Sequence, residues 1–108
     1  MRIMMQKSDL LNSVEFKNAP MDARLKYVQA DEKCFCIDGC TCSRGANQLY
    51  LDACYDKCIT KGELLQDHHF KKAGKASEIL ICFDDYHRET WGCDVIYKNG
   101  IIYICELV

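Results

Sequence analysis

Six of the nine cysteines lie between residues 34 and 58, in the spacing C-x-C-x3-C-x-C-x11-C-x3-C. The four cysteines in 34–42 need a common centre, because a nine-residue loop cannot bury four thiols separately. A thiolate is a soft ligand that zinc binds in closed tetrahedral sites. The clustering therefore predicts a structural zinc site in the first half of the chain.

We expect Zn²⁺ to be the cofactor, held by at least four of the six clustered cysteines. The predicted metal ligands are Cys34, Cys36, Cys40, Cys42, Cys54 and Cys58. Additional ligands would come from His68, His69 and Cys82. A disulfide scaffold, an iron–sulfur cluster and simple burial of the thiols remain alternatives, although full pairing of nine cysteines would leave one thiol over.

The segment Cys34-Phe35-Cys36-Ile37-Asp38-Gly39-Cys40 resembles the opening of the pre-SET zinc-cluster segment of histone lysine methyltransferases. The resemblance covers these seven residues, and a second C-x-C follows directly at Cys40-Thr41-Cys42. It implies a zinc cluster that acts as a scaffold and carries no catalysis. A pre-SET-like scaffold or a metal-handling protein is therefore one alternative function.

Apolar spacing in the first two thirds of the chain indicates mainly helices. We predict helices over 8–17, 46–60 and 63–72, and a cysteine-rich loop over 31–45. Residues 21–29 fit either a short helix or a strand, and we favour the helix because Asp22 can cap it. We find no internal repeat.

The last third changes to a period of two, which is typical of strands. Strands over 78–83, 91–98 and 101–107 are predicted to form a three-stranded antiparallel meander that turns at Asn99-Gly100. Val95, Ile102 and Ile104 would then face the core. The predicted fold is one α+β domain, 1–108, with a helical segment (1–30), a zinc-stabilised loop and helix (31–62) and this sheet (78–108).

Composition excludes several classes of function. The formal net charge is −2, which argues against a protein that coats nucleic acid. No apolar run approaches the ~18 residues that span a bilayer, so we expect no membrane contact. The N-terminus lacks the apolar stretch of a secretory signal, and we expect an intracellular location.

The leading functional prediction is a small protein that works by binding another protein, as an adaptor or as an inhibitor encoded by a virus or phage. The predicted partner-binding residues are Tyr103, Ile101, Ile96, Asp85, His87 and Arg88. We name no catalytic residue. A homodimer through the same surface is an alternative, as is a thiol-based or hydrolytic enzyme that uses the cysteine loop or the 84–90 loop.

Overall fold

The computed structural model describes residues 4–45 and 47–106. It holds four short helices, α1 Lys7–Asn12, α2 Val14–Asn18, α3 Lys61–Gln66 and α4 His68–Lys72. The strands are β1 Arg24–Val28, β2 Cys34–Cys42, β3 Gln48–Cys54, β4 Glu78–Cys82, β5 His87–Glu89, β6 Asp94–Lys98 and β7 Ile101–Cys105. They form a seven-stranded sheet in the order β5-β4-β3-β2-β1-β7-β6, which curls into a half-barrel.

The inner, concave face of the sheet holds the core. Neighbouring strands are antiparallel except for the pairs β1–β7 and β3–β4, which are parallel. Alternate residues point inward, so the core side chains come from every second position. Members that are fully buried include Leu25, Tyr27, Ile37, Leu49, Leu51, Ile79, Ile81, Ile102 and Ile104, with Phe16 and Phe70 of the helices packed on them.

The predicted fold class is wrong. The protein is mostly sheet, its helices have five or six residues each, and the sheet has seven strands instead of three. The 31–45 segment, predicted as a loop, contains strand β2, because Phe35, Ile37 and Cys40 pack into the core. The C-x-C spacing has a period of two, so it was a strand signal as well as a ligand signal.

Two segments that we predicted as helices contain strands instead. Leu49 and Leu51 are buried on one face of β3, within the segment where we expected a helix over 46–60. Leu25 and Tyr27 are buried in β1, which is the strand alternative for residues 21–29. In both places short apolar runs fit either period, and packing in the sheet decides between them.

The hairpin prediction is confirmed. Asn99 and Gly100 have φ values of 54° and 80°, and Val95 pairs with Ile104 as expected. The meander is wrong, since β4 pairs with β3 and β5 and lies at the far side of the sheet from β6. The predicted helices over 8–17 and 63–72 exist, each broken into two short helices.

The same order of elements occurs twice along the chain, so the prediction of no internal repeat does not hold for the fold. Helices α1 and α2 and strand β1 recur as α3, α4 and β4 at a constant offset of 54 residues. Over the aligned segments 7–28 and 61–82, identical residues are Lys7/Lys61, Leu10/Leu64, Leu11/Leu65, Phe16/Phe70, Lys17/Lys71 and Ala19/Ala73. The first half runs from α1 to β3 and the second from α3 to β7. Each contributes a helix pair, a strand and a following hairpin, which is β2–β3 in the first half and β6–β7 in the second.

The two halves are interlocked by equivalent hydrogen bonds. The Lys7 amide donates to the Ser77 carbonyl at 2.8 Å, and the Lys61 amide donates to the Ala23 carbonyl at 2.7 Å. A second equivalent pair follows: the Ile79 amide donates to the Met5 carbonyl at 2.8 Å, and the Leu25 amide donates to the Ile59 carbonyl at 3.0 Å. Each half therefore supplies hydrogen-bond donors to backbone carbonyls of the other half.

Two buried lysines form the centre of this interlock. Lys61 Nζ donates to the carbonyls of Phe16, Lys17 and Ala19 at 2.7, 3.3 and 2.9 Å, at the end of α2. Lys7 Nζ donates to the equivalent carbonyls of Phe70 and Ala73 at the end of α4. A cation at a helix C-terminus satisfies carbonyls that lack intrahelical partners and complements the helix dipole.

Replacing Lys61 by Met should lower the free energy of unfolding by about 2–4 kcal/mol, because buried carbonyls lose their donor. The equivalent substitution Lys7→Met should cost a similar amount, and the exposed Lys72→Met should cost almost nothing. Urea denaturation followed by circular dichroism measures all three. A neutral result for Lys61→Met would show that water or the backbone replaces the ammonium group.

Gly100→Ala should destabilise the hairpin by about 1–2 kcal/mol, since a Cβ resists the positive φ at this position. Gly39→Ala is the matched control, because its φ is not positive and an added Cβ would meet only Asp52 Oδ2, at 4.0 Å. Thermal melts of the two variants should separate clearly. Equal losses would mean that the turn conformation contributes little.

Candidate functional site

An ion pair crosses one mouth of the half-barrel. Arg88 of edge strand β5 donates through Nη2 to both carboxylate oxygens of Glu106, at 3.0 and 2.9 Å, and through Nε to the Tyr27 hydroxyl at 3.2 Å. Glu106 follows β7, which is separated from β5 by four strands in the sheet order. The Glu106 carboxylate raises the pKa of Arg88 further, so the pair stays ionised. It draws the two sides of the curled sheet together.

Beside this pair lies a cavity of about 500 Å³ with aromatic walls. Phe35 is the second residue of β2, Tyr55 follows β3, and Phe83 and Tyr86 close the turn after β4. Ring centroids are 5.0 Å apart for Phe35 and Phe83, 5.3 Å for Phe35 and Tyr55, and 4.7 Å for Phe83 and Tyr86. Tyr55 is 86% exposed, so this wall faces solvent.

The rim of this aromatic pocket is acidic. The carboxylates of Asp56, Asp84 and Asp85 line it together with one cation, Lys33. Lys33 lies 3.9 Å from Asp31. Within residues 4–45 and 47–106, none of the three rim aspartates has an ion-pair partner. The pocket therefore presents unneutralised negative charge next to the faces of aromatic rings.

A disulfide joins β2 to the segment that follows β3. Cys36 of β2 is bonded to Cys58, with a Cα–Cα distance of 4.6 Å. Cys54 is the register partner of Cys36 on β3 and also lines the pocket. Cys34, two residues before Cys36, is an exposed free thiol.

A second thiol group lies on the other face of β2, against helix α4. Cys40 Sγ donates to Asp67 Oδ1 at 3.1 Å, and Cys42 Sγ is 3.7 Å from His69 Nδ1. Burial raises the pKa of Cys40 strongly, so it remains a neutral thiol. Asp67 also caps α4, since its carboxylate accepts from the amide of His69 at 2.8 Å.

The six predicted zinc ligands are thus separated: Cys34 and Cys36 lie on one face of β2, Cys40 and Cys42 on the other, Cys54 on β3, and Cys58 in the disulfide with Cys36. In the described part of the chain, no three His, Cys, Asp or Glu side chains are gathered as a metal site. His68 packs beside His69, and Cys82 is the register partner of Asp52 on another part of the sheet. Zinc binding stays a prediction, and Cys36 and Cys58 can act as ligands only after their bond is reduced, because thiolates are the ligands.

The predicted partner-binding residues are spread over separate surfaces. Tyr103 pairs with Ile96, which is 39% exposed, on the outer face of β6 and β7. Ile101 lies on the same outer face, Asp85 lines the aromatic pocket, and His87 packs near Tyr50. Arg88 is engaged with Glu106 and Tyr27, as described above.

Our sequence reasoning missed the aromatic walls of the pocket. The available signal was an aromatic residue followed by aspartate at two strand ends, Tyr55-Asp56 and Phe83-Asp84. Nothing in the linear order indicated that these two pairs meet, because β3 and β4 become parallel neighbours only through the α3–α4 crossover.

Comparisons with protein-family models, with curated proteins and with solved structures give no match for this chain. No helix among residues 4–45 and 47–106 is long and apolar enough to cross a membrane.

The free thiols should differ widely in reactivity. Cys34 is exposed, whereas burial raises the pKa of Cys93 to about 12, so at pH 8 Cys93 holds almost no reactive thiolate. In the native protein we expect iodoacetamide to modify Cys34 first and Cys93 and Cys40 last. Peptide mass spectrometry over time measures the order. The seven free thiols should react alike in urea, and equal native rates for Cys34 and Cys93 would contradict this assignment.

Proposed function

We propose that this chain is a binding domain without catalytic activity, whose aromatic pocket takes a basic side chain of a protein partner. The single observation that carries the proposal is the combination of aromatic walls with an unneutralised acidic rim. A Lys or Arg side chain over an aromatic ring gains about 0.5–2 kcal/mol from the ring quadrupole, and nearby carboxylates add to this attraction.

Several features support a macromolecular partner. Tyr55 and Tyr86 are exposed at 86% and 49%, and the pocket is open along one side. Exposed tyrosines are enriched at interface hot spots because they bring large contact area and a polar tip. The volume of about 500 Å³ falls in the range of roughly 300–1,000 Å³ that is usual for ligand pockets.

The proposal includes an intracellular location, because seven of the nine cysteines are free thiols, the state that a reducing compartment maintains, and the Cys36–Cys58 disulfide is then of the redox-active kind that occurs in such compartments. An adaptor role and an inhibitor role both agree with a pocket of this kind. The origin in a virus or phage stays a prediction, without support from the pocket.

Short peptides with a central Arg, Lys, trimethyl-Lys or Glu, labelled with a fluorophore, test the pocket. The cationic peptides should bind and the Glu peptide should not. Tyr55→Ala should weaken binding of the cationic peptides at least about tenfold, because one aromatic wall is lost. The double variant Asp84→Asn, Asp85→Asn should weaken it less and should reduce its dependence on salt.

Two matched variants act as controls. Trp91→Ala removes an exposed aromatic residue outside the pocket, and Asp22→Asn removes an exposed carboxylate elsewhere. Neither should change the affinity for the cationic peptides. If Tyr103→Ala reduces binding while Tyr55→Ala does not, the functional surface is the outer face of β6 and β7 and the proposal is wrong.

A second candidate function is a thiol-based enzyme, favoured by the 3.7 Å contact between Cys42 Sγ and His69 Nδ1. A nucleophilic cysteine needs such a base within reach. Among the described residues, however, no hydrogen bond orients the second nitrogen of His69. Cleavage of activated thioesters that is lost in Cys42→Ser and retained in Cys54→Ser would establish this activity.

A further inference from the structure

Cys36 has two cysteines within disulfide distance. It is bonded to Cys58, and it lies directly opposite Cys54 in the antiparallel β2–β3 ladder. Directly opposed residues in such a ladder have Cα atoms roughly 4.5 or 5.5 Å apart and point to the same face. Disulfides form over Cα separations of about 4.4–6.8 Å. The backbone therefore permits a Cys36–Cys54 bond without rearrangement of the strands.

The Cys54 thiol is free and is held at the start of the turn that leads to Cys58. Its Sγ donates to the Lys57 carbonyl at 3.1 Å, and Lys57 immediately precedes Cys58. Cys54 is partly exposed and lines the aromatic pocket, so solvent reaches it. A partly exposed thiol beside a disulfide meets the access requirement for exchange.

The backbone around Cys58 is held by contacts that do not involve its sulfur. Arg24 Nη1 donates to the Cys58 carbonyl at 2.6 Å, and the Ile59 amide donates to the Ile37 carbonyl at 2.8 Å. The turn therefore keeps its place when the sulfur is released. The Arg24 guanidinium also puts positive charge beside Cys58, which favours a thiolate leaving group.

We propose that Cys36, Cys54 and Cys58 form a thiol–disulfide exchange centre. The Cys54 thiol loses its proton to water, and the thiolate attacks the Cys36 sulfur. A Cys36–Cys54 bond forms as the Cys36–Cys58 bond breaks, and Cys58 leaves as a thiolate that takes a proton from water. One disulfide replaces another, so there is no net oxidation and no external oxidant is needed. The exchange does not depend on the ligand of the pocket.

Disulfide mapping of the full chain tests the exchange. The purified oxidised protein is held at pH 8 without added thiol or oxidant, quenched in acid, blocked with N-ethylmaleimide and digested for mass spectrometry. We expect both the Cys36–Cys58 and the Cys36–Cys54 linkages, with interconversion that accelerates as the pH rises. Cys54→Ser should leave only Cys36–Cys58.

Two further variants keep the test decisive. Cys34→Ser removes the exposed thiol two positions from Cys36 and should leave both linkages in place. Cys58→Ser, treated with oxidised glutathione, should trap the Cys36–Cys54 bond, and its circular dichroism spectrum should match that of the parent. The proposal is overturned if Cys58→Ser never forms this bond, if the parent shows only Cys36–Cys58 at every pH, or if Cys34→Ser abolishes the second linkage.

Discussion

The fold depends on a reciprocal contact between its two halves. Each half places a buried lysine under the end of the other half's second helix, through Lys61 on α2 and Lys7 on α4. The backbone amides of the same two lysines donate to carbonyls directly before β4 and β1, the first strand of the opposite half in each case. Because these helix ends receive an ammonium donor from across the molecule, each half satisfies backbone carbonyls of the other. The sheet shows the same exchange, because its parallel pairs β1–β7 and β3–β4 each join a strand of one half to a strand of the other.

Sequence reasoning recovered the parts of this fold that are local. The Asn99-Gly100 hairpin and its register follow from two turn residues and a clear alternation on both sides. The repeat of elements escaped notice because the shared residues are scattered and most aligned pairs differ, as Ser13 and Asp67 do while capping equivalent helices. The strand β3 was misread because its apolar residues fit a helix until β2 and β4 are known to flank it. The pocket joins residues from four separate strand ends, which local patterns cannot bring together.

The symmetry of the two halves is lost at the mouth where the aromatic pocket lies. In the first half Phe35 pairs with Tyr27. At the equivalent position of the second half, Arg88 pairs with Ile81. Phe83 likewise corresponds to Gln29 at the offset of 54 residues. The repeated positions thus carry the scaffold, whereas the positions at the mouth carry different chemistry. The proposed binding pocket therefore lies where the two halves differ in chemistry.

A single extra residue explains why the clustered cysteines do not share one centre. Cys34, Cys36, Cys40 and Cys42 are separated by even numbers of residues, so a regular strand would present all four on one face. The register of β2 against β3 shifts between Ile37 and Gly39, where a bulge is inserted. The bulge sends Cys34 and Cys36 to the outer face and Cys40 and Cys42 towards α4, because one added residue reverses the alternation. On one face Cys36 is in a disulfide and lies next to the Cys54 thiol. On the other face Cys40 and Cys42 contact the Asp67 carboxylate and the His69 imidazole.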